Sequence, residues 1–388
     1  MRTPHCAVLA LAISLLAAAT PAPTVPDAAT LFRNGDFAGA AAAYQTAIDA
    51  DAHDSTALTG LGAIRLYQND LAAAEPLLRA AIAADPSNTR APRLLTELQR
   101  RQAESVRRST VDGGETTVPF IVVDPLPVVH VVANGQPANF VIDTGGDVDL
   151  EPDFAERVGV KTEAGANGTF AGGKQAPMRT GMLASLSLGG ATADDVPVHV
   201  LPLHAESLFP NVKIDGLVGT TYFERFLVTM DYPHKQLILR PRSASAAFQV
   251  QAKASGATIE PCLLVGDHLV VATAQVNDAP PGPFVFDSGF AGGGVAASTE
   301  LVKAAGIALD EAHAATVMGG GGAFTAVPFV AKRVTVGNAV VENVRGAYNE
   351  GQTFATFPFT VWGMISNEFL RHFSYTVDFD AMTMVLAR

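Results

Sequence analysis

Apolar residues recur along this chain with two different periods. Between residues 27 and 102 the sequence is rich in Ala and Leu at helical spacing, whereas from residue 118 onward short runs alternate apolar and polar residues. A period near 3.6 predicts helices and a period of two predicts strands. Turn signals such as Asn134-Gly135 separate the alternating runs and indicate hairpins. The sequence therefore predicts a small all-α part followed by a mainly β part.

The helical part repeats itself with a period of 34 residues. The corresponding segments are Gly35-Asp36-Phe37 with Asn69-Asp70-Leu71, Tyr44 with Leu78, Ala47 with Ala81, and Asp51 with Asp85. This pattern resembles two tetratricopeptide repeats over residues 27–104, with a final helix from about Thr89 to Arg101 that closes the stack. The resemblance implies either a groove for a protein partner or a packed helical appendage, and two repeats form only a short groove.

The β part contains two copies of one pattern. Phe140-Val141-Ile142-Asp143-Thr144-Gly145 corresponds to Phe284-Val285-Phe286-Asp287-Ser288-Gly289, and a later apolar element follows each copy at Gly216 and Gly363. Each run predicts a buried strand that delivers a carboxylate into a tight turn, where Gly permits a backbone conformation closed to other residues. A buried carboxylate needs a partner, so we expect Asp143 and Asp287 to be partners of each other.

This duplicated pattern resembles the aspartic peptidases, specifically the retropepsin-like bacterial family in which two copies of the unit lie on one chain. The resemblance covers roughly residues 118–388. It implies a mainly β fold with two β-barrel lobes, at residues 118–245 and 250–388, related by a pseudo-twofold axis and separated by a cleft. The implied activity is that of an endopeptidase acting on a peptide or protein substrate.

The resemblance also implies roles for the residues of the two triplets. Asp143 and Asp287 are expected to form a catalytic dyad within one molecule. One carboxylate takes a proton from water, and the other, protonated, donates to the substrate carbonyl. The supporting residues are Thr144 and Ser288, which brace the two loops, and Gly145 and Gly289, which allow the turns.

Two positions of the second copy depart from the family pattern. Phe290 follows its triplet where the first copy has the small Gly146, and Ser366 stands where the first copy has Gly219. Phe290 is expected to crowd the second carboxylate. These departures keep two alternatives open: a peptide-binding protein of the same fold without turnover, or a scaffold whose function lies in the helical repeats.

Glycine-rich stretches lie at parallel places after the two triplets. Hairpins with mobile tips close over the substrate in many enzymes, and these stretches are candidates for such flaps. Ordinary surface loops are the alternative interpretation. The candidate flap residues are Phe170, Gly172 and Gly173 in the first copy and Gly319, Gly320 and Gly321 in the second.

An acidic run follows the first triplet, at Asp147, Asp149, Glu151 and Asp153. Pro152 stands where a calcium-binding loop requires Gly, so we interpret the run as a solvated turn. The histidines are scattered, and neither a zinc-binding His-Glu-x-x-His nor a nucleophile-elbow serine occurs. We therefore expect no metal ion and no other cofactor.

The first 22 residues have the layout of a secretory signal, with Arg2 before a largely apolar run from Ala7 to Ala19. Cleavage is expected near residues 19–22, and the run is too short to serve as a membrane anchor. A periplasmic or secreted protein is therefore predicted. Removal of Cys6 leaves Cys262 alone, so no intramolecular disulfide is expected.

Charge and polarity complete the prediction. The formal net charge is −12 and no dense basic patch occurs, which argues against nucleic acid as a partner. The polar segment at residues 105–117 is predicted to link the helical and β parts, and residues 241–254 are predicted to join the two lobes.

Overall fold

Aspartates begin the helices of the N-terminal part. The side chains of Asp27, Asp36, Asp54 and Asp70 each accept a hydrogen bond from a first-turn backbone N–H that has no partner within the helix. The helices are α1 (Ala28–Arg33), α2 (Phe37–Ala50), α3 (Ser55–Tyr67), α4 (Leu71–Ala84), α5 (Arg90–Ser105), α6 (Pro152–Arg157), α7 (Thr220–Phe223), α8 (Ser245–Ala254), α9 (Thr299–Ala304) and α10 (Asn367–Leu370).

The computed structural model describes residues 27–105, 107–170, 174–266, 268–319, 322–349, 354 and 356–388, and the predicted signal peptide lies outside them. The strands are β1 (Ser109–Val111), β2 (Thr116–Val122), β3 (Val128–Ala133), β4 (Gln136–Ile142), β5 (Asp149–Leu150), β6 (Glu163–Phe170), β7 (Lys174–Leu188), β8 (Ala191–Val200), β9 (Gly216–Val218), β10 (Phe226–Asp231), β11 (Gln236–Pro241), β12 (Thr258–Val265), β13 (Leu269–Val276), β14 (Gly282–Phe286), β15 (Val295–Ala297), β16 (Ala315–Gly319), β17 (Gly322–Val336), β18 (Ala339–Tyr348), β19 (Gly363–Ile365), β20 (Ser374–Asp378) and β21 (Thr383–Ala387).

The predicted helical repeat is confirmed. Helices α2 and α4 have the same length, and their bounds differ by the predicted 34 residues. Small residues let neighbouring helices approach, because a Cβ atom at Gly60 of α3 would lie 2.3 Å from the ring of Tyr44 in α2. Helix α5 closes the stack and extends further than predicted, to Ser105.

The β part consists of two lobes in which the central strands pair in the same way. In the N-terminal lobe (β1–β11), β4 pairs in parallel with β9, and in the C-terminal lobe (β12–β21), β14 pairs in parallel with β19. Every residue of β14 is buried, as expected for a strand covered on both faces. Each Asp-Thr/Ser-Gly triplet therefore begins at the end of a central strand.

A shared sheet joins the two lobes, in the order β2–β11–β10–β20–β21–β12. Its middle pair, β10 with β20, places Thr229 opposite Thr376, and their buried hydroxyl oxygens lie 2.7 Å apart. The pseudo-twofold axis passes near this pair, because β10 and β20 occupy equivalent places in the two lobes. The predicted bilobal architecture with a helical region in front is thus confirmed.

The helical region packs on the outer face of the C-terminal lobe. Phe359 lies among helix residues, with its ring centroid 5.8 Å from that of Phe32 and 4.8 Å from that of Phe37. The same apolar cluster includes Val271 of β13 and Val285 of β14. The helices therefore form part of the core of this lobe.

A loop covers the corresponding face of the N-terminal lobe. Val128 and Val141, which pair in the same way as Val271 and Val285, pack with Phe209 and Ile214 from the segment before β9. The helical region takes the place of this loop in the second lobe, which favours the packed appendage over a free groove.

Two predicted connecting segments contain regular structure. Strand β1 lies within residues 105–117 and pairs with β8, since a strand at a sheet edge needs only backbone hydrogen bonds and tolerates polar side chains. Helix α8 lies within residues 241–254, and Ser245 and Gln249 both donate to the carboxylate of Asp378. Within the described parts of the chain, no helix is long and apolar enough to cross a membrane.

Candidate active site

Asp143 and Asp287 lie together where the two lobes meet. The backbone N–H of Gly145 donates to an oxygen of each carboxyl group, at 3.0 Å in both cases. The N–H of Gly289 donates to Asp287 Oδ1 at 2.6 Å. A single backbone donor therefore contacts both carboxyls, and it comes from the first triplet.

Close approach explains the two glycines. A Cβ atom at Gly145 would lie 2.3 Å from the Asp287 carboxyl carbon, and one at Gly289 would lie 2.2 Å from that of Asp143. Neither residue has a left-handed backbone, so the expectation that glycine is required for its φ angle was wrong. Each glycine leaves the space that the carboxyl group of the other lobe occupies.

The surroundings of Asp143 favour its protonated form. Burial raises the pKa of the Asp143 carboxyl well above its ordinary value, and the neighbouring Asp287 carboxyl raises that pKa further. The charge of Asp149 acts in the same direction, while the N–H of Gly145 opposes the rise in pKa. Two carboxyls in contact, one buried and one partly buried, share a proton more readily than both ionise.

Thr144 and Ser288 connect the two loops. The N–H of Thr144 donates to Ser288 Oγ at 3.1 Å, and the N–H of Ser288 donates to Thr144 Oγ1 at 2.9 Å. The hydroxyl of Ser288 donates in turn to the carbonyl oxygen of Ile142 at 3.2 Å. Both side chains are buried, and the bonds cross the lobe boundary in both directions.

Gly219 and Ser366 occupy equivalent places with the same extended backbone. A Cβ atom at Gly219 would lie 2.1 Å from the carbonyl oxygen of Gly146 and 2.4 Å from that of Asp143. In the C-terminal lobe the loop leaves room for a side chain, and Ser366 Oγ donates to the carbonyl oxygens of Asp287 and Phe290. Ser366 therefore holds the second loop by hydrogen bonds instead of by close packing.

The loop after the second triplet is longer than its counterpart. Asp149 stands opposite Leu217 in the sheet and follows Asp143 by six residues, whereas Ala296 stands opposite Met364 and follows Asp287 by nine. The additional residues belong to the stretch from Phe290 to Gly294.

This longer loop borders a cavity of about 740 Å³. The ring of Phe290 lies against Gly292, where an added Cβ atom would be 2.4 Å from it. Apolar and charged groups line the cavity together, among them Phe290, Phe329, Val330, Arg345 and Glu368. The ring of Phe290 is thus directed along its own loop, where it forms one wall of the cavity.

The acidic run after Asp143 is solvated only in part, because Asp153 is exposed whereas Asp147 and Asp149 are largely buried. Asp149 is only 8% exposed, and its Oδ1 lies 3.4 Å from His199 Nδ1. His199 is also 3.4 Å from Asp147 Oδ2, which His268 of the other lobe approaches to 3.5 Å. The parallel pairing of β5 with β8 brings Asp149 and His199 together across 50 residues of sequence, so spacing alone did not reveal the contact.

The candidate flaps lie on two hairpins. Phe170 ends β6 and stands opposite Lys174 of β7, and Gly319 ends β16 and stands opposite Gly322 of β17. The remaining candidates, Gly172, Gly173, Gly320 and Gly321, fall outside the described residues. No cluster of three or more potential metal-ligating side chains occurs among the residues that the structure describes.

Two comparisons match parts of this architecture. Residues 129–222 and 272–357 match the family model described as aspartyl protease, one segment in each lobe, and residues 28–89 match a tetratricopeptide repeat model. Among solved structures, a retropepsin-like aspartic protease from Rickettsia conorii is 23% identical, with a TM-score of 0.27. The match covers 35% of this chain and 95% of that one. No curated protein matches the sequence significantly.

Proposed function

The chain belongs to the aspartyl protease family, and we propose that it is an exported endopeptidase that hydrolyses peptide bonds with Asp143 and Asp287. The observation that carries this proposal is the Gly145 N–H, which donates to both carboxyls at 3.0 Å. Carboxyls held so close to one donor are close enough to share a proton, as acid–base cleavage of an amide requires.

The dyad performs the reaction through its singly protonated state. A water molecule between the carboxyls gives a proton to the ionised carboxylate and attacks the peptide carbonyl carbon, while the protonated carboxyl donates to the carbonyl oxygen. The resulting tetrahedral intermediate breaks down when the nitrogen of the leaving amine receives a proton from the dyad. Because the two titrations are coupled, acid and base roles belong to the pair and not to either residue.

The substrate is an extended peptide between the lobes. Its backbone pairs with the hairpins β6–β7 and β16–β17 as an added strand, since an extended peptide satisfies its own hydrogen bonds in this way. The cleft needs no second chain, because the Thr144–Ser288 bonds assemble the dyad within one molecule. Specific activity should therefore stay constant on dilution, and a steep loss that added protein restores would contradict the proposal.

The deciding experiment incubates the mature protein with a mixed peptide library and identifies new termini by mass spectrometry. New termini with a consistent side-chain preference, abolished by Asp143→Asn, support the endopeptidase. Stable peptide binding without new termini would instead support a binding protein of the same fold. The Phe290 and Ser366 departures motivate this second candidate, because Phe290 lies in the loop of the second carboxyl and Ser366 donates to backbone oxygens of that loop.

Export belongs to the same proposal and rests on the composition of residues 1–22. N-terminal sequencing of the protein recovered from its host tests it directly. A chain that begins near residues 20–23 is expected, and a retained Met1 in a cytoplasmic fraction would rule out export.

A further inference from the structure

One row of residues crosses the central strands of the N-terminal lobe. Val141 of β4 stands opposite Leu217 of β9, Leu217 opposite Asp149 of β5, and Asp149 opposite His199 of β8. Residues opposite each other in neighbouring strands direct their side chains to the same face of the sheet. Asp149 and His199 therefore share a face with Val141, which precedes Asp143 by two residues.

Four side chains form a series of contacts that starts from this row. His199 Nδ1 lies 3.4 Å from Asp149 Oδ1 and 3.4 Å from Asp147 Oδ2, and His268 Nδ1 lies 3.5 Å from the same Asp147 oxygen. His268 comes from the turn between β12 and β13, so the series crosses from one lobe to the other. Imidazoles and carboxylates alternate along it.

Asp149 has the most buried side chain of the four. It is 92% buried, and its Oδ1 accepts no hydrogen bond within the described structure. A buried carboxylate oxygen without a donor is unfavourable, and a positive charge nearby offsets this cost. The His199 ring is the titratable group that this oxygen faces.

We propose that Asp149 and His199 are positioning residues for the dyad, and that their combined charge changes with pH so that the dyad stays singly protonated over a wider range. This inference rests on the proposed peptidase function. The groups that face the pair are Asp143 and Asp147 on its own loop, Asp287 beside Asp143, and His268 beside Asp147.

The alkaline side of the range depends on Asp149. When the His199 ring carries no charge, the negative charge of the Asp149 carboxylate has no compensating neighbour there. This negative charge disfavours a second negative charge on the dyad, so the shared proton is retained to higher pH. The pKa of Asp143 shows this influence, because the Asp149 charge is one of the causes that raise it.

The acidic side of the range depends on His199. When His199 is protonated, its positive charge cancels that of Asp149, and the ionised member of the dyad no longer has an uncompensated negative neighbour. That member then remains ionised to lower pH, since a nearby negative charge would have favoured its protonation. The two residues thus extend the active range at opposite ends.

Two single variants separate these effects. We compare wild type, Asp149→Asn and His199→Gln by the pH dependence of kcat/KM and by ¹³C NMR titration of aspartate-labelled carboxyls. Asp149→Asn should shift the pH profile of kcat/KM and the titration of the dyad to lower pH by about one unit. His199→Gln should shift the acid limb of the kcat/KM profile to higher pH by about half a unit, opposite to the shift in Asp149→Asn.

A matched control has the same chemistry at the surface. His313 Nδ1 lies 2.8 Å from Asp310 Oδ2, and both side chains are exposed. His313→Gln should leave both limbs and the dyad titration unchanged. Thermal melting verifies that each variant is folded, and either Asp149→Asn or His199→Gln alone decides the inference if the other fails to fold.

The outcomes also distinguish this inference from the proposed function. Unmoved carboxyl titrations, or shifts of both variants in the same direction, would overturn the positioning role even if the wild type cleaves peptides. If the wild type cleaves nothing while the titrations shift as expected, the coupling stands and the endopeptidase assignment fails.

Discussion

Thr144 and Ser288 exchange hydrogen bonds across the lobe boundary, each backbone N–H donating to the hydroxyl of the other residue, at 3.1 Å and 2.9 Å. Both residues come directly after a carboxylate of the dyad. Because Thr144 is bonded directly to Asp143 and Ser288 directly to Asp287, the two hydrogen bonds fix the relative position of the two aspartates. Lobe packing alone tolerates small displacements, whereas this paired geometry does not.

Removal of the Ser288 hydroxyl should weaken the contact between the lobes. Ser288→Ala leaves the Thr144 N–H and the Ile142 carbonyl oxygen without their partner, both in a buried place. We expect the free energy of unfolding to fall by about 1–3 kcal/mol in chemical denaturation. The exposed Ser207→Ala is the control and should change it by less than about 0.5 kcal/mol. An equal effect of the two substitutions would contradict the bracing role.

Asp143→Asn and Asp287→Asn should each lower kcat by about 10³-fold or more, because an amide neither shares the proton nor activates water. The melting temperature should stay the same or rise, since each change removes a buried charge beside another carboxyl. Steady-state cleavage and circular dichroism measure the two quantities. The fully exposed Asp278→Asn serves as the control. Full activity of Asp287→Asn beside an inactive Asp143→Asn would show that the second lobe is not catalytic.

The substitutions Gly219→Ser and Ser366→Gly, made separately, should affect the two lobes unequally. Gly219→Ser places a side chain 2.1 Å from the Gly146 carbonyl oxygen, so the Asp143 loop must move, and kcat should fall by about 10²-fold. Ser366→Gly removes hydrogen bonds to Asp287 and Phe290 and should lower stability by about 1–2 kcal/mol with a smaller loss of kcat. Similar losses of kcat in both variants would show that the two loops are held in the same way.

Phe359→Ala should destabilise the whole protein and not only the helical region. The Phe359 side chain is buried between Phe32, Phe37 and the C-terminal lobe, so its removal leaves a cavity worth about 3–5 kcal/mol. Calorimetry should show one cooperative transition that shifts as a unit. Phe359→Leu, which keeps most of the volume, should shift it by less than half as much. A separate early transition of the helices would contradict a common core.

The free energy of unfolding should fall as the pH rises from about 4.5 to about 7, because the Glu224 carboxyl loses its proton in this window. Burial raises the pKa of Glu224 to about 7, against the opposing effect of Arg101 and other nearby arginines. The folded protein therefore holds a proton that the unfolded chain releases above the ordinary pKa of 4.5, so folding loses free energy as pH rises through this window. Glu224→Gln should raise the melting temperature at pH 8 by about 2–4 °C and change it little at pH 4. The exposed Glu311→Gln is the control, and an equal rise at both pH values would exclude this titration.

Sequence alone predicted the elements that depend on local pattern. The turn at Asn134-Gly135 has both residues at positive φ, as its dipeptide indicates. The sequence also predicts a short helix after each triplet, at residues 153–157 and 298–305, each ending before a Gly, and the observed helices are Pro152–Arg157 and Thr299–Ala304. The duplication predicted the pairing of Asp143 with Asp287, because only a partner in the other copy could compensate a buried carboxyl at the end of each central strand.

Features that depend on contacts between segments far apart in the sequence could not be predicted from it. Nothing in the spacing of Asp149 and His199 indicates that β5 and β8 run side by side, so the acidic run was interpreted as solvated. The polar β1 was assigned to a linker because its pairing with β8 uses the backbone alone. Packing of the helices on Val285 also required the fold, since a buried strand residue does not specify what covers it.

The longer loop after Asp287 makes the two halves of the cleft between the lobes different from each other. In an enzyme assembled from two identical chains, a peptide binds equally well in either orientation, because symmetry makes the two complexes the same. Here the loop after Asp287 is three residues longer than the loop after Asp143, and it carries Phe290 at the border of the cavity of about 740 Å³. In the endopeptidase proposed above, the two orientations of a bound peptide should therefore differ in free energy, and one of them should be preferred.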